Sequence, residues 1–342
     1  ESTMRSRLLV FLVSATAISF NAPVCGAGLS PGHKEQATRN TTPGEGIVFQ
    51  AGEKNLHCVA YGAGFVWCGF STGPSRLLKV DPDSMTSQRV VFKRERGLHD
   101  FSFDGTNVWA AHSSGHLSVV APETTDIRTI RLKDQPFVYA SHFDGRDIWA
   151  GLYGKPGRLV RVSRQTGRCD EFVINEAPRW SVRGIASDGK CVWACLYTVP
   201  AMVAIVDPHE SSCRVVRLGR GDDLKLCTSI VFHGKSMWVG LDTMPATVVR
   251  IDVDSHQYRV YTFHAQSSCC RSLVVADAAV WAGLYTEPAQ IIRFDPETLS
   301  YATITLPDAY FNTRDLACDG KNLWIGLQNV RYGPSALYRL PM

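Results

Sequence analysis

Seven side chains, spaced 40 to 45 residues apart, are the positions in this chain whose types could recognise a ligand. Each lies ten residues before a tryptophan, and all are polar or cationic: His57, His99, Tyr139, Arg183, Thr228, Arg271 and Arg314. An arginine offers a planar guanidinium group that forms paired hydrogen bonds with a carboxylate or a phosphate. A buried core position would not be polar in every copy. These residues therefore predict a site for a small anion.

A second set of positions lies four residues after the same tryptophans. It reads Ser71, Ser113, Tyr153, Tyr197, Asp242, Tyr285 and Gln328. Antiparallel strands place the start of one strand beside the end of the next, so both sets are expected on one face. Trp180, the only tryptophan outside the repeat, shortly precedes Arg183 and joins that face. The predicted ligand-binding residues are Tyr139, Arg183, Arg271, Arg314, Tyr153, Tyr197, Tyr285, Trp180 and Asp242.

A purely structural interpretation of these residues stays open, because hydrogen bonds to backbone carbonyls and to Asp100 and Asp315 would seal the centre of the fold. Three arginines on nearby repeats argue against it, since mutual repulsion requires a counter-ion. The arrangement predicts a mouth that is permanently cationic on one side and lined by His57 and His99 on the other. We therefore expect anion affinity to rise as the pH falls through about 6.5, the ordinary histidine pKa.

Three histidines on the first two repeats suggest catalysis. His57, His99 and His112 are the candidate catalytic residues, because histidine exchanges protons near neutral pH. With Asp100, two of them offer a second possibility, a metal site formed by His57, His99 and Asp100. The sequence contains no nucleophile elbow, phosphate loop or paired glutamate motif.

The elements that must position these residues are repeated units headed by a tryptophan: Trp67, Trp109, Trp149, Trp193, Trp238, Trp281 and Trp324. Each unit predicts four short strands, separated by Asp-Gly turns, proline-containing turns and Asp-Pro turns. No segment shows a convincing helical period. Units of about this length in a ring are the blades of a β-propeller. We predict an all-β, seven-bladed propeller with four antiparallel strands per blade, in which the tryptophans form the core.

The ends of the repeat predict how the ring closes. The last unit has no fourth strand, and Ile47–Phe49 resembles the fourth strand of the first unit, Val90-Val91-Phe92. The N-terminal strand should therefore complete the last blade and remove the exposed edge. The predicted propeller spans residues 46–342. An eight-bladed ring that uses residues 28–45 is the alternative, although they read as a flexible polar lead-in.

The N-terminus indicates export. Glu1–Thr3 precede Met4, as a remnant or an upstream read-through would. Arg5 and Arg7 then precede an apolar run at residues 8–20, so residues 1–27 resemble a secretory signal peptide too short to span a bilayer. A mitochondrial presequence is the alternative, because no acidic residue lies between Met4 and Lys34. We expect a secreted or extracytoplasmic monomer without a membrane span.

The net charge and the cysteine content restrict the classes of partner, cross-link and metal site that the sequence predicts. A formal net charge of +4 with no block of five like charges does not indicate nucleic-acid binding. Among the 11 cysteines, Cys58 and Cys68 flank one hairpin and could pair, and Cys227 could reach Cys269 or Cys270. No CxxC pair is present to suggest zinc.

The repeat is clearest at residues 280–296, VWAGLYTEPAQIIRFDP. This pattern resembles two propeller families, the streptogramin lyases (virginiamycin B lyases) and the two-component-regulator sensory propellers. The first resemblance implies a seven-bladed ring and a Mg²⁺-dependent elimination on its upper face, carried out by histidine and glutamate. His57 and His99 match the histidines, and Glu287, in a turn, is the glutamate that can be placed.

Two functions remain open. The first is a propeller that binds a small anionic molecule or a protein partner at the channel mouth. The second is a metal-dependent lyase or hydrolase similar to streptogramin lyase, with a divalent metal such as Mg²⁺ as its cofactor.

Overall fold

The computed structural model describes residues 35–36, 44–50, 52–132, 137–174, 182–210, 212–219, 221, 223–263, 269–307, 310–328 and 334–342. Within these residues the chain forms 29 β-strands, β1 to β29, and no helix. Accordingly, no helix of the described part has the length and apolar character needed to cross a membrane. The predicted signal peptide, residues 1–27, lies outside the described residues.

The strands form seven sheets, the blades, each with four antiparallel strands called A to D from the channel outwards. Blade 1 contains β3 (Leu56–Gly62), β4 (Phe65–Phe70), β5 (Ser75–Val80) and β6 (Ser87–Phe92); blade 2 contains β7 (Leu98–Phe103), β8 (Val108–His112), β9 (His116–Val120) and β10 (Ile127–Arg131); blade 3 contains β11 (Val138–Phe143), β12 (Ile148–Leu152), β13 (Gly157–Val162) and β14 (Cys169–Ile174). Blade 4 contains β15 (Val182–Ser187), β16 (Val192–Leu196), β17 (Met202–Asp207) and β18 (Ser212–Arg217); blade 5 contains β19 (Cys227–His233), β20 (Ser236–Leu241), β21 (Thr247–Asp252) and β22 (Tyr258–Thr262); blade 6 contains β23 (Cys270–Ala276), β24 (Ala279–Leu284), β25 (Gln290–Phe294) and β26 (Tyr301–Thr305). Blade 7 contains β27 (Thr313–Cys318), β28 (Asn322–Leu327), β29 (Ala336–Pro341) and β2 (Glu45–Val48).

The N-terminal strand closes the ring, as predicted. Strand β2 pairs antiparallel with β29, with Ile47 opposite Leu337, and β27 of blade 7 packs against β3 of blade 1. The Phe49 N–H then donates a hydrogen bond to the Ser335 carbonyl at 2.9 Å. The Phe49 ring meets Phe70 of blade 1 edge-on at 5.3 Å. The N-terminal segment thus supplies the fourth strand of blade 7 and continues along the chain into blade 1.

The stretch predicted as a lead-in also contributes to the sheets. Strand β1 (Glu35–Gln36) pairs in parallel with β26, as a fifth strand on blade 6. Strand β2 begins at Glu45, one residue before the predicted start of the propeller. The described residues form seven sheets, so the eight-bladed alternative is wrong.

The tryptophans lie in the core between neighbouring blades, as expected. Trp67 of blade 1, for example, packs with Leu98 and Phe101 of blade 2. In four blades the aspartate of the preceding Asp-Gly turn accepts a hydrogen bond from the indole N–H: Asp104 from Trp109, Asp144 from Trp149, Asp188 from Trp193 and Asp319 from Trp324. One carboxylate thereby caps the turn and satisfies a buried donor.

The cysteine pairs suggested by the sequence do not form, and no disulfide joins any two of the ten cysteines of the described residues. Successive residues of a strand point to opposite faces, so neighbours in a hairpin need not face each other. Cys58 packs between blades 1 and 2, whereas Cys68 packs between blades 1 and 7. Cys227 lies between blades 4 and 5, whereas Cys270 lies between blades 5 and 6.

Candidate functional site

A β-bulge at the start of every A strand positions the first set of candidate residues. In blade 2, for example, Leu98 pairs with His112 and Asp100 with Ala111, which leaves His99 as the extra residue. The same shift occurs in the other six blades, at the residue ten before each tryptophan. A bulge bends its strand and redirects a side chain. Here it directs both the extra residue and its successor towards the channel in several blades.

All seven residues of that set line one cavity at the centre of the ring, with a volume of about 220 Å³. We call it the channel cavity. Asp100 and Asp315, each one residue further along its strand, line it too. The prediction that these positions converge from different blades therefore describes the geometry correctly.

His57 and His99 occupy one side of the channel cavity and contact each other. The His57 Nδ1–H donates to the His99 carbonyl at 2.8 Å, and the Tyr139 hydroxyl lies 3.3 Å from His57 Nε2. His99 Nε2 lies 2.8 Å from Ser113 Oγ. The His99 ring stacks against Phe137 and Tyr139, with centroids 4.7 and 4.8 Å away. Both imidazoles are thus committed to protein contacts.

These histidines are neutral at physiological pH. Burial, together with the nearby His99, Arg314 and Arg183, lowers the pKa of His57 to about 3. Burial and the charge of Arg183 lower the pKa of His99 to about 4. The expected gain of positive charge near pH 6.5 is therefore wrong for this side of the mouth.

His112 does not join the predicted catalytic group. It is fully buried, with its Nδ1 3.3 Å from Ser75 Oγ and its ring edge-on to Phe92 at 4.8 Å. It lies three residues after its tryptophan, where blades 3 and 4 place the core residues Leu152 and Leu196. Because that position faces the packing between blades, the trio with His57 and His99 is not assembled.

The predicted metal ligands do not fit a metal ion. The Asp100 carboxylate accepts the Phe101 and Ser141 N–H groups, both at 2.8 Å, and so joins blades 2 and 3. Burial raises the pKa of this carboxyl to about 8, against the effect of the two N–H bonds. Among the described residues, no group of three histidine, cysteine or acidic side chains is arranged to hold a metal. His57, His99 and Asp100 are held instead by carbonyl, hydroxyl and amide partners.

Asp315 is a second carboxylate that links blades across the channel cavity. It accepts hydrogen bonds from Val59 N–H at 2.7 Å, Ser272 Oγ–H at 2.6 Å and Leu316 N–H at 2.9 Å. Burial raises its pKa to about 6. Thr228 likewise donates to the Cys270 carbonyl at 2.5 Å. These hydrogen bonds between blades therefore close part of the channel, which is the structural interpretation that the sequence left open.

The cationic side is formed by blades 4, 6 and 7. The Arg183 guanidinium lies 4.0 and 4.3 Å from the ring centroids of Tyr139 and Tyr197, and it donates to the Tyr139 hydroxyl. Asp242 accepts the Tyr197 hydroxyl at 2.8 Å and lies 3.8 Å from the Arg271 guanidinium. Tyr197 and Asp242 thus support the arginines from the second set of positions.

Arg271 and Arg314 both lie over the ring of Tyr285, with guanidinium carbons 5.2 and 5.6 Å from its centroid. The Nε atoms of both arginines are buried and have no hydrogen-bond partner among the described residues. Burial and the charge of Arg271 lower the pKa of Arg314. Two guanidinium groups therefore lie near one aromatic ring, and each has a buried Nε–H without an acceptor among the described residues.

Phe137 lies beside the predicted site residues, although the sequence did not indicate it as one of them. It stacks with His99 and lies 5.2 Å from Tyr153, which places four rings on one side of the mouth: His99, Phe137, Tyr139 and Tyr153. We call this group the aromatic wall. The only signal was an aromatic residue two positions before Tyr139. Trp180 lies outside the described residues.

The sequence matches no protein-family model and no curated protein. Among solved structures, the fold is similar to the β-propeller domain of Cps50 (Swd1) from Myceliophteria thermophila, with a TM-score of 0.66 and 12% identity. That alignment covers 86% of this chain and 99% of the other. At this identity the similarity shows the β-propeller fold and nothing more about the site.

Proposed function

We propose that this propeller binds a small anion at the mouth of the channel cavity. The observation that carries the proposal is the pair Arg271 and Arg314, whose guanidinium groups lie over the ring of Tyr285 with buried Nε atoms that have no partner among the described residues. A carboxylate offers two acceptor oxygens to such donors. It would accept hydrogen bonds from these guanidinium groups and balance the charge of Arg314.

The charges near this pair favour an anion. Asp242 forms an ion pair with Arg271 at 3.8 Å, beyond hydrogen-bond distance, whereas Arg314 forms no ion pair with a described residue. Like charges in a partly buried site repel each other, and burial together with the charge of Arg271 lowers the pKa of Arg314. An anion bound by both guanidinium groups would offset that repulsion with two attractions.

The proposal is tested by isothermal titration calorimetry with acetate, inorganic phosphate and glucuronate. We expect at least one anion to bind, and Arg271→Gln or Arg314→Gln to weaken it at least tenfold. Arg293→Gln is the control, because Arg293 lies outside the channel cavity, beside Asp277 and Trp281. If none of these anions nor an aryl carboxylate binds, or if the first two variants bind like Arg293→Gln, the site is wrong.

We also propose that the protein acts outside the cytoplasm. The support is the basic start and apolar run within residues 1–27. A reporter enzyme fused after residue 27 should be exported and should lose the leader. Import of the reporter into mitochondria would favour the presequence instead, and retention of the uncleaved fusion in the cytosol would exclude both.

A metal-dependent lyase or hydrolase has less support. Glu287, the glutamate implied by the family resemblance, is exposed in the turn between β24 and β25 and does not line the channel cavity. The oxygens of Asp100 accept backbone N–H groups. Metal analysis of the purified protein tests this alternative, which requires a stoichiometric divalent ion and an activity lost in EDTA.

A further inference from the structure

We infer that the anion is an aromatic carboxylate, bound with its carboxylate at Arg271 and Arg314 and its ring towards the aromatic wall. This inference rests on the proposed function and adds the chemical class of the ligand. It is drawn from the distribution of charge and aromatic surface around the channel mouth.

The two halves of the mouth differ in chemistry. Arg271 and Arg314 belong to blades 6 and 7, whereas Phe137 and Tyr153 belong to blade 3. In a ring of seven blades, blade 3 lies opposite blades 6 and 7. A molecule that spans the mouth from the arginines would therefore meet aromatic side chains at its other end.

The aromatic wall offers apolar ring surface in place of further charge. Phe137 and Tyr139 are stacked, with centroids 5.9 Å apart and planes 11° from parallel, and His99 stacks against both. Burial keeps His99 neutral, so this residue adds no positive charge for a second anionic group, and Arg183, the cation beside the wall, is engaged with the rings of Tyr139 and Tyr197. Aromatic pairs at such distances gain about 0.5–1.5 kcal/mol beyond area burial. A planar ring suits this surface better than a phosphate.

Exposed apolar side chains also occur in the turns on this face. Tyr153, Val199 and Met244, in the turns after the B strands of blades 3, 4 and 5, are 36%, 50% and 78% exposed. Tyr153 belongs to the aromatic wall through its contact with Phe137. A phosphate or acetate held by the arginines has little or no apolar surface to place against Tyr153, whereas an aromatic ring provides it.

The size of the channel cavity agrees with a ligand of one ring. Its volume of about 220 Å³ lies below the roughly 300–1,000 Å³ of sites for drug-sized molecules. A carboxylate with one ring therefore matches both the chemistry and the space.

The test is calorimetry with four matched compounds: phenylacetate, acetate, inorganic phosphate and phenylacetamide. We expect phenylacetate to bind at least tenfold more tightly than acetate or phosphate, and phenylacetamide, which has the ring without the charge, to bind at least tenfold more weakly than phenylacetate. Acetate or phosphate binding as tightly as phenylacetate would overturn the aromatic inference and leave the proposed function intact. Phenylacetamide binding equally well would also overturn it. Failure of all three anions would overturn the proposed function itself.

Two tyrosines of equal exposure give a matched pair of variants. Tyr153 on the aromatic wall and Tyr61 in the A strand of blade 1, at the far end near its turn, are each 36% exposed. Tyr153→Ala should weaken phenylacetate at least threefold without changing the affinity for acetate. Tyr61→Ala should change neither. Equal effects of both variants on phenylacetate, or an equal loss of acetate binding in Tyr153→Ala, would contradict a ring held at this wall.

Discussion

The guanidinium of Arg183 lies between the rings of Tyr139 and Tyr197, 4.0 and 4.3 Å from their centroids. It joins the A strand of blade 3 to the A strand of blade 4 and to the turn after its B strand, and the Tyr139 hydroxyl continues this contact to His57 of blade 1. One cation therefore connects the aromatic and cationic halves of the mouth.

Replacing Arg183 by methionine should destabilise the fold through the loss of both ring contacts. Each contact of this kind contributes about 0.5–2 kcal/mol, so the free energy of unfolding should fall by about 2 kcal/mol in urea titrations. Arg164→Met is the control, because Arg164 lies over one ring only, that of Phe143, at 5.4 Å. Equal losses in the two variants would show that the position between two rings has no special effect.

Trp238 has a buried indole N–H without a hydrogen-bond partner in the described residues. Its turn contains His233-Gly234, where four other blades have Asp-Gly, and Gly234 has the positive φ of 64° that such a turn needs. His233→Asp should supply the missing acceptor and raise the free energy of unfolding by about 1 kcal/mol. Thermal and urea unfolding measure this gain.

The reverse change in blade 2 is the control for that prediction. Asp104→Ala removes the acceptor 2.8 Å from the Trp109 Nε1 and the cap of two turn N–H groups, so it should cost about 1–3 kcal/mol. If His233→Asp destabilises the protein while Asp104→Ala has no effect, the aspartate does not serve the indole.

Anion affinity should depend on pH through Asp315. Burial raises its pKa to about 6, so its negative charge in the channel cavity is lost as the pH falls through that value, and an anion should bind more tightly. The histidines stay neutral there, because their pKa values are about 3 and 4, and Asp100, with a pKa of about 8, stays mostly protonated. Calorimetry from pH 5 to 7.5 should show the rise in wild type and in His99→Gln, but a flat profile in Asp315→Asn. A rise abolished by His99→Gln instead would restore the histidine interpretation.

The buried thiols should resist alkylation in the native protein. Burial raises the pKa of the Cys58 and Cys195 thiols well above their usual range and that of Cys227 to about 12. Iodoacetamide at pH 8, followed by peptide mass spectrometry, should modify the exposed Cys169 first and leave these three unmodified until denaturation. A Cys58–Cys68 disulfide in the unreduced digest would contradict the packing of these residues on opposite faces of blade 1.

The sequence was sufficient for the fold because each blade repeats the same physical solution. A tryptophan packs between blades every 40 to 45 residues, an Asp-Gly turn precedes it in four of them, and the blade without a fourth strand receives one from Glu45–Val48. The seven channel positions followed from the same alignment. Strand order and strand direction place them at one end of the channel whatever the details of packing.

The chemistry of individual residues was less accessible from the sequence. His112 was predicted to be catalytic because histidine exchanges protons, although Leu152 and Leu196 at equivalent positions indicate a core site. The pKa values of His57 and His99 depend on burial that the β-bulges create, and a bulge leaves no clear signature in a sequence of alternating residues. Phe137 acts through contacts with His99 of another blade, which a comparison within one repeat does not reveal.

The most direct test of anion binding at the mouth is a crystal structure of the protein with 4-bromophenylacetate, located by the anomalous signal of bromine. We expect carboxylate oxygens about 2.7–2.9 Å from guanidinium nitrogens of Arg271 and Arg314, with the bromine beside Phe137 or Tyr153. A ligand bound elsewhere, or a channel cavity without ligand at a concentration that saturates the protein in solution, would contradict it.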